Sequence, residues 1–163
     1  METIYAQSSN PISSLSSSKA FRLEDQSKRW GVPLWTLTLD LQGEKVNKLG
    51  TLMIDEFEKL IPQLQSLADQ KKIEALVVLS GKPGNFIAGA DIKLIQSAQT
   101  AQEAQDLSQM GQKLLNRWED LPFIKVVGID GAALGGGCEF SLSCDAIVMS
   151  DSAAARIGLP EVM

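Results

Sequence analysis

Two glycine-rich stretches constrain the fold of this chain more than any other feature, because each follows a short apolar run and opens a segment of helical character. The first runs from Phe86 to Asp91 (FIAGAD) and the second from Gly131 to Glu139 (GAALGGGCE). At a strand-to-helix junction, backbone N–H groups without a helical partner can point toward a negatively charged oxygen. The two stretches therefore predict junctions that together can hold an anion.

Four short apolar segments predict strands. The first alternates with a two-residue period, typical of a strand with one buried face, and the others are short apolar runs that suit buried parallel strands. The predicted strands are Leu34–Leu41, Ala75–Leu79, Phe123–Ile129 and Ala146–Met149. Turn-forming residues predict a loop over 81–89 and a turn at Asp130 and Gly131.

Helical spacing of apolar residues predicts three helices between these strands. The first covers 49–67, where Pro62 predicts a kink or a break. The second is amphipathic over 107–118, and the third covers about 136–143. Strands that alternate with helices predict right-handed crossovers, a mostly parallel sheet and fold class α/β.

The composition excludes several classes of protein. At 163 residues and 44% hydrophobic, the chain is long and apolar enough to bury a core. Its 15 basic and 20 acidic residues give a net charge of −5, which argues against a nucleic-acid partner. No apolar run approaches the ~20 residues needed to cross a bilayer, so we expect no integral membrane segment.

The first 20 residues are rich in serine. They contain no apolar core, which argues against a secretory signal, and Glu2 together with the lack of arginine argues against a mitochondrial leader. We predict a disordered tail over 1–20 and one folded domain over 21–163.

Histidine is absent from the chain, which removes the commonest general base and the commonest metal ligand. Acid–base chemistry then depends on Asp, Glu, Lys, Tyr or Cys. The two cysteines, Cys138 and Cys144, are six residues apart, about 240° around a helix, and therefore face different ways. We predict neither a disulfide nor a metal site.

Neither glycine-rich stretch has the residues that a nucleotide-binding motif requires. Gly84 and Gly89 have the spacing of a P-loop, but Ala90 and Asp91 stand where Lys and Ser or Thr are required. The triple glycine 135–137 lacks the third glycine of a dinucleotide fingerprint. The remaining possibility is a smaller anion, such as a thioester oxygen that gains charge while two backbone amides hold it.

Two carboxylates accompany these loops. Glu139 follows the triple glycine and Glu161 lies in a Gly-Leu-Pro-Glu segment. One could take a proton and the other give one. The alternatives are that Glu139 only stabilises the first turn of a helix through its negative charge and that Glu161 lies in a surface loop. We assign Asp91 the role of a helix cap or loop brace.

Four lysines in or beside the loops can meet a phosphorylated ligand, although ordinary solvated surface charge is the better interpretation for each. They are Lys45, Lys48, Lys82 and Lys93.

At these residues the sequence resembles the crotonase (enoyl-CoA hydratase/isomerase) superfamily, and within it the hydratase region of the multifunctional fatty acid oxidation proteins. The resemblance extends over about 34–163. It is carried by the Gly43–Lys48 stretch, both glycine-rich loops, Cys144-Asp145 and the Gly158–Glu161 segment.

The resemblance implies a crotonase-like spiral of ββα repeats that binds acyl-CoA, with this chain holding the N-terminal part. It assigns the oxyanion hole to the amides of Ala88 and Gly136, and the rest of the acyl-CoA site to Gly89, Ala90 and Asp91. Glu139 would hold and activate the water, and Glu161 would orient it and protonate Cα.

Both glutamates together favour hydration of a trans-2-enoyl thioester, with no cofactor beyond the coenzyme A that the substrate carries. The alternatives are an enoyl-CoA isomerase, which needs chiefly one carboxylate, and a non-catalytic acyl-CoA-binding remnant. The remnant is considered because family hydratases continue past this point with helices that cover the acyl pocket. For the full-length family we expect a homo-oligomer or a thiolase-containing complex in the bacterial cytoplasm.

Overall fold

The computed structural model describes residues 18–160. The predicted tail lies almost entirely outside the described residues, and so does Glu161. The elements in chain order are β1 (Phe21–Asp25), α1 (Ser27–Trp30), β2 (Leu34–Leu39), α2 (Thr51–Asp69), β3 (Ala75–Ser80), β4 (Gly84–Ile87), α3 (Ile92–Ser97), α4 (Ala101–Glu119), β5 (Ile124–Ile129), β6 (Gly131–Leu134), α5 (Gly136–Leu142), β7 (Ala146–Met149) and β8 (Arg156–Gly158).

The strands form two sheets, a five-stranded one in the order β1-β2-β3-β5-β7 and a three-stranded one in the order β4-β6-β8. Among the strands of residues 18–160, β1 and β2 pair antiparallel and all other neighbours pair parallel. Consecutive pairs of strands, β3 with β4, β5 with β6 and β7 with β8, each supply one strand to each sheet. Helices follow the first two pairs. This arrangement confirms the predicted α/β class and the spiral of ββα repeats.

An aromatic cluster joins α2, α4 and α5. The ring of Phe57 from α2 lies 5.5 Å from Trp118 of α4 and 5.4 Å from Phe140 of α5, centroid to centroid. Trp118 and Phe140 lie 5.2 Å apart, and all three side chains are buried. Large buried aromatics contribute strongly to a core, so this cluster holds α2, α4 and α5 in place.

The small sheet was not predicted. β4 lies inside the segment predicted as a loop over 81–89, and β6 begins where a turn was predicted. Glycine at 131 allows the close approach of the two strands, because a Cβ there would lie 2.2 Å from the Asn85 amide nitrogen. The predicted loop over 81–89 was therefore wrong at Gly84–Ile87, and the predicted turn at Asp130 and Gly131 was wrong at Gly131, which is the first residue of β6.

Of the kink or break predicted at Pro62, the break is wrong. α2 continues through Pro62 to Asp69. Pro62 is exposed, while its neighbours Leu60, Ile61 and Leu64 are buried in the core. Tertiary packing of the apolar face outweighs the hydrogen bond that proline removes.

Cys138 is buried and Cys144 is half-buried, and both are free thiols in the described structure. Burial raises the pKa of the Cys144 thiol to about 11, so it stays protonated near neutral pH. Within residues 18–160, no helix has the length and apolar character needed to span a membrane.

Candidate active site

An apolar cavity of about 360 Å³ lies between the helices and the two glycine-rich loops. Its walls are mostly aliphatic and aromatic, with Glu139 as the one charged residue among those that line it. The lining residues are Leu49, Ile54, Phe57, Ala90, Leu94, Ile95, Ala104, Leu107, Ser108, Gly111, Gln112, Leu114, Leu115, Trp118, Gly136, Glu139 and Phe140. A cavity of this character suits a hydrocarbon chain with a polar group at one end.

The three consecutive glycines of the second loop meet three different requirements. Gly135 has a φ of +51°, where side chains are disfavoured, and its N–H donates to the Gly158 carbonyl at 2.9 Å. A Cβ on Gly137 would lie 2.3 Å from the Ile87 carbonyl oxygen, so glycine there permits close packing. Gly136 alone faces the cavity.

The space beside Gly136 brings the candidate groups together. A Cβ built on Gly136 would lie 3.7 Å from the Ala90 amide nitrogen and 3.8 Å from Glu139 Oε2. Its closest neighbour would be the Cδ1 atom of Leu49 at 2.9 Å. A backbone amide and a carboxylate therefore flank one small space that lacks a side chain, at the edge of the apolar cavity.

The predicted donor Ala88 has a different partner. Its N–H donates to the Asn47 carbonyl at 2.8 Å, and Ala88 is not among the residues that line the cavity. An amide engaged in a hydrogen bond of normal length cannot also serve as a full donor to a substrate oxygen. The expectation of an Ala88 oxyanion donor therefore disagrees with the geometry.

Ala90 has the unpaired backbone N–H that was expected of Ala88. Among residues 18–160, neither the Ala90 N–H nor the Gly136 N–H has a hydrogen-bond acceptor. The flanking groups are both engaged, because Leu49 N–H donates to the Gly89 carbonyl and Asp91 N–H donates to the Leu49 carbonyl, each at 2.9 Å. The φ of +117° at Gly89 interrupts the regular strand alternation and leaves the Ala90 amide without a partner.

Asn47, which the sequence reasoning did not single out, supports this loop. It is fully buried, and its side-chain amide donates to the carbonyls of Leu39 and Phe86, each at 3.1 Å. Its Oδ1 accepts from the Leu41 N–H at 3.0 Å. Asparagine between Val46 and Lys48 in a polar loop carries no signal of this role, because its partners come from distant strands.

Asp91 fulfils the predicted capping role. It is the N-cap of α3, where its Oδ1 accepts from the Lys93 N–H at 3.0 Å. Its Oδ2 lies 3.1 Å from the Lys48 ammonium, which is also 3.1 Å from Glu44. The hydrogen bond from Lys48 is the main reason that the pKa of Asp91 is lowered, and the Glu44 and Asp91 carboxylates together raise the pKa of Lys48.

The lysines considered for a phosphorylated ligand divide into two groups. Lys48 is neutralised by two carboxylates, and Lys82 lies 2.9 Å from Asp40. Lys45 and Lys93 are exposed and take part in no ion pair within the described range. The second group therefore keeps its charge available to solvent.

The structure describes only some of the remaining predicted residues. Glu139 lies in the first turn of α5, with an exposed side chain that borders the cavity. Glu161 falls outside the described residues, so its predicted partnership with Glu139 stays a prediction. Gly89 is buried, so it determines the course of the loop backbone and presents no surface to a ligand.

Comparison with known families supports the sequence resemblance. The family described as enoyl-CoA hydratase/isomerase matches residues 36–163. The chain is 43% identical over 143 residues to a fatty acid oxidation complex subunit alpha from Aliivibrio fischeri, and 41% identical over 150 residues to the protein of the same name from Vibrio vulnificus. These alignments cover 88% and 91% of the chain but 20% of each relative, so the chain spans about a fifth of their length.

Solved structures share the fold. An enoyl-CoA hydratase from Geobacillus kaustophilus aligns with a TM-score of 0.70 and 28% identity over 80% of this chain and 47% of that one. Pseudomonas aeruginosa AtuE aligns with a TM-score of 0.71 and 26% identity over 86% of this chain and 51% of that one. The chain therefore spans about half the length of these structures.

Proposed function

The chain belongs to the enoyl-CoA hydratase/isomerase family, and we propose that it acts in the hydration of trans-2-enoyl-CoA thioesters. The observation that carries this proposal is the space beside Gly136, where the Ala90 amide and the Glu139 carboxylate converge. The apolar cavity next to that space accommodates the acyl chain.

In this proposal the N–H groups of Ala90 and Gly136 form the oxyanion hole. Ala90 replaces Ala88 in this role, because the Ala88 N–H is already bonded to Asn47. As water adds to the double bond, negative charge develops on the thioester oxygen, and two preorganised amides stabilise it. Loss of one such donor typically raises the barrier by about 3–4 kcal/mol.

Glu139 takes the proton of the attacking water at Cβ. Its carboxylate lies at the same space as the oxyanion donors, so the water and the thioester carbonyl can be held side by side. Addition also requires a proton at Cα, and we assign that step to Glu161 on the strength of the resemblance alone. The overall result is syn addition of water, with a proton taken at one carbon and given at the next.

The substrate class follows from the relatives. Two relatives are named fatty acid oxidation complex subunit alpha, so we propose that the enoyl thioesters arise in fatty acid β-oxidation. Assembly as a homo-oligomer or with a thiolase, and a cytoplasmic location, belong to the same proposal.

The test is Glu139→Gln, with Glu74→Gln as the matched control because Glu74 is exposed and its side chain takes part in none of the described hydrogen bonds or ion pairs. Hydration of an enoyl-CoA is expected to fall by about 10²–10⁴, while binding of the saturated acyl-CoA, measured by calorimetry, is retained. The control should hydrate at the rate of the unchanged chain.

Hydration and double-bond isomerisation are assayed separately. Retained hydration in Glu139→Gln would remove the role given to Glu139. Isomerisation without hydration by the unchanged chain would identify an isomerase, and acyl-CoA binding without either reaction would identify a non-catalytic binding protein.

A further inference from the structure

A glycine occupies the middle of α4, the long helix that forms one wall of the cavity. Gly111 lies ten residues after the first residue of the helix and eight before the last. Glycine in a helix interior is unfavourable relative to alanine, because it loses more backbone entropy on folding. Its presence there calls for a local reason.

Neither of the usual structural reasons applies to Gly111. Its φ is not positive, unlike that of Gly89 or Gly135. A Cβ built on Gly111 would meet no heavy atom within 4 Å in the described structure, whereas one on Gly137 would overlap the Ile87 carbonyl. Neither backbone conformation nor close packing therefore excludes a side chain.

The open side of Gly111 belongs to the cavity. Gly111 lines it together with Leu107, Leu114 and Leu115, which lie within one turn of the same helix. Leucine side chains on both sides of a glycine leave a gap in the wall at the glycine. The missing side chain adds volume to the cavity at that point.

We propose that Gly111 sets the length of acyl chain that the site accepts, by leaving room for a chain that a larger residue would exclude. This inference rests on the proposed acyl-CoA function of the same cavity. At about 30 Å³ for a group the size of a methylene or a water, the cavity holds roughly ten such groups. The geometry therefore points to straight acyl chains of medium length.

The experiment measures binding of saturated acyl-CoAs from butanoyl to dodecanoyl by calorimetry. In the unchanged chain, affinity should rise about fourfold for each added methylene until the cavity is full. In Gly111→Leu the rise should stop about three carbons earlier, so that decanoyl- and dodecanoyl-CoA bind about 50-fold more weakly. Butanoyl-CoA should bind equally well to both.

Gln109→Leu is the matched control, because it adds the same side chain to an exposed position of the same helix that does not line the cavity. Its chain-length profile should equal that of the unchanged chain. Gly111→Ala adds one methyl group to open space, so it should raise Tm by about 2–4 °C and shorten the profile by about one methylene. If Gly111→Leu loses its helical circular dichroism, Gly111→Met supplies similar volume on a flexible side chain.

The outcomes separate the two proposals. A profile in Gly111→Leu or Gly111→Met that matches the unchanged chain overturns the role of Gly111 and leaves the proposed function intact. No binding of any acyl-CoA by the unchanged, folded chain overturns the proposed function and this inference with it. A shortened profile in Gln109→Leu would also count against Gly111, because the effect would then not depend on the cavity wall.

Discussion

The two glycine-rich loops reach the same space by different means. In the loop after β6, consecutive glycines meet each structural requirement, because Gly135 has the positive φ, Gly136 faces the cavity and Gly137 permits close packing against Ile87. The loop after β4 is held mainly by the segment near Asn47 and Leu49, about 40 residues earlier in the chain. The glycines of one loop therefore signal its shape in the sequence, whereas the shape of the other loop depends on hydrogen bonds to a distant segment.

The difference explains which amide each loop presents. In the second loop, the start of a helix leaves the Gly136 amide without an intrahelical acceptor. In the first loop, the neighbouring segment takes up the amides of Ala88 and Asp91 and leaves that of Ala90. Substitutions in the two loops should therefore differ in how much they lower the free energy of unfolding and in how much they weaken acyl-CoA binding.

The largest expected effect is that of Gly137→Ala. The new Cβ would lie 2.3 Å from a backbone oxygen that cannot move aside, so the free energy of unfolding should fall by about 3 kcal/mol or more. Denaturant unfolding followed by circular dichroism measures this loss.

The neighbouring Gly136→Ala is its control, because the atom closest to the new Cβ, at 2.9 Å, is at the flexible end of the Leu49 side chain and the next neighbours are at ordinary contact distance. Stability should change by less than about 1 kcal/mol, while the methyl group fills the space beside the Ala90 amide and weakens acyl-CoA binding at least about tenfold. Equal loss of stability in both variants would contradict the separate roles given to the two glycines.

Asn47→Ala should have the next largest effect. Removing this side chain leaves the Leu41 amide without its acceptor and takes one donor away from each of the carbonyls of Leu39 and Phe86, which should cost about 2–3 kcal/mol of unfolding free energy. The loop that presents Ala90 should then loosen, so amide hydrogen exchange at 88–91 should accelerate more than in the second loop.

Asn116→Ala serves as the control, since Asn116 is exposed on α4 and its side chain makes none of the hydrogen bonds described for residues 18–160. It should change stability by no more than about 0.5 kcal/mol. Uniform acceleration of exchange across both loops in Asn47→Ala would show that the first loop has no special dependence on Asn47.

The smallest effect concerns the ion pair of Asp91 with Lys48. Because hydrogen bonds from Lys48 and from the Lys93 amide lower the pKa of Asp91 below 3.8, the pair stabilises the fold above about pH 4. This contribution should be lost as the pH falls through the lowered pKa. Tm measured between pH 6 and pH 2 should therefore differ between the unchanged chain and Asp91→Asn near pH 6 and converge at the acidic end.

Asp55→Asn is the comparison for this measurement, because Asp55 is exposed and forms no ion pair in the described part of the chain. Its Tm should follow that of the unchanged chain over the whole range. A gap for Asp91→Asn that stays constant down to pH 2 would show that the carboxylate charge is not what stabilises the loop.

Local patterns predicted a large part of the molecule. Apolar periodicity located β2, β3, β5 and β7, and the capping role of Asp91 followed from its position before an apolar helix. The strands of the second sheet escaped detection because each is only three or four residues long and contains at least one glycine, so no apolar periodicity marks it in the sequence. Pro62 does not break α2 as one alternative predicted, because packing of the rest of the helix outweighs the local preference of proline.

The sequence by itself determined the strand-to-helix junctions, the triple glycine with its following carboxylate, and the absence of histidine chemistry. Tertiary structure decided which backbone amide of the first loop stays unpaired, because Ala88 and Ala90 are both alanines and differ only in the partners that surround them. The chemistry of a side chain follows directly from the residue type, whereas the hydrogen-bond partner of a backbone N–H depends on which distant segment packs beside it.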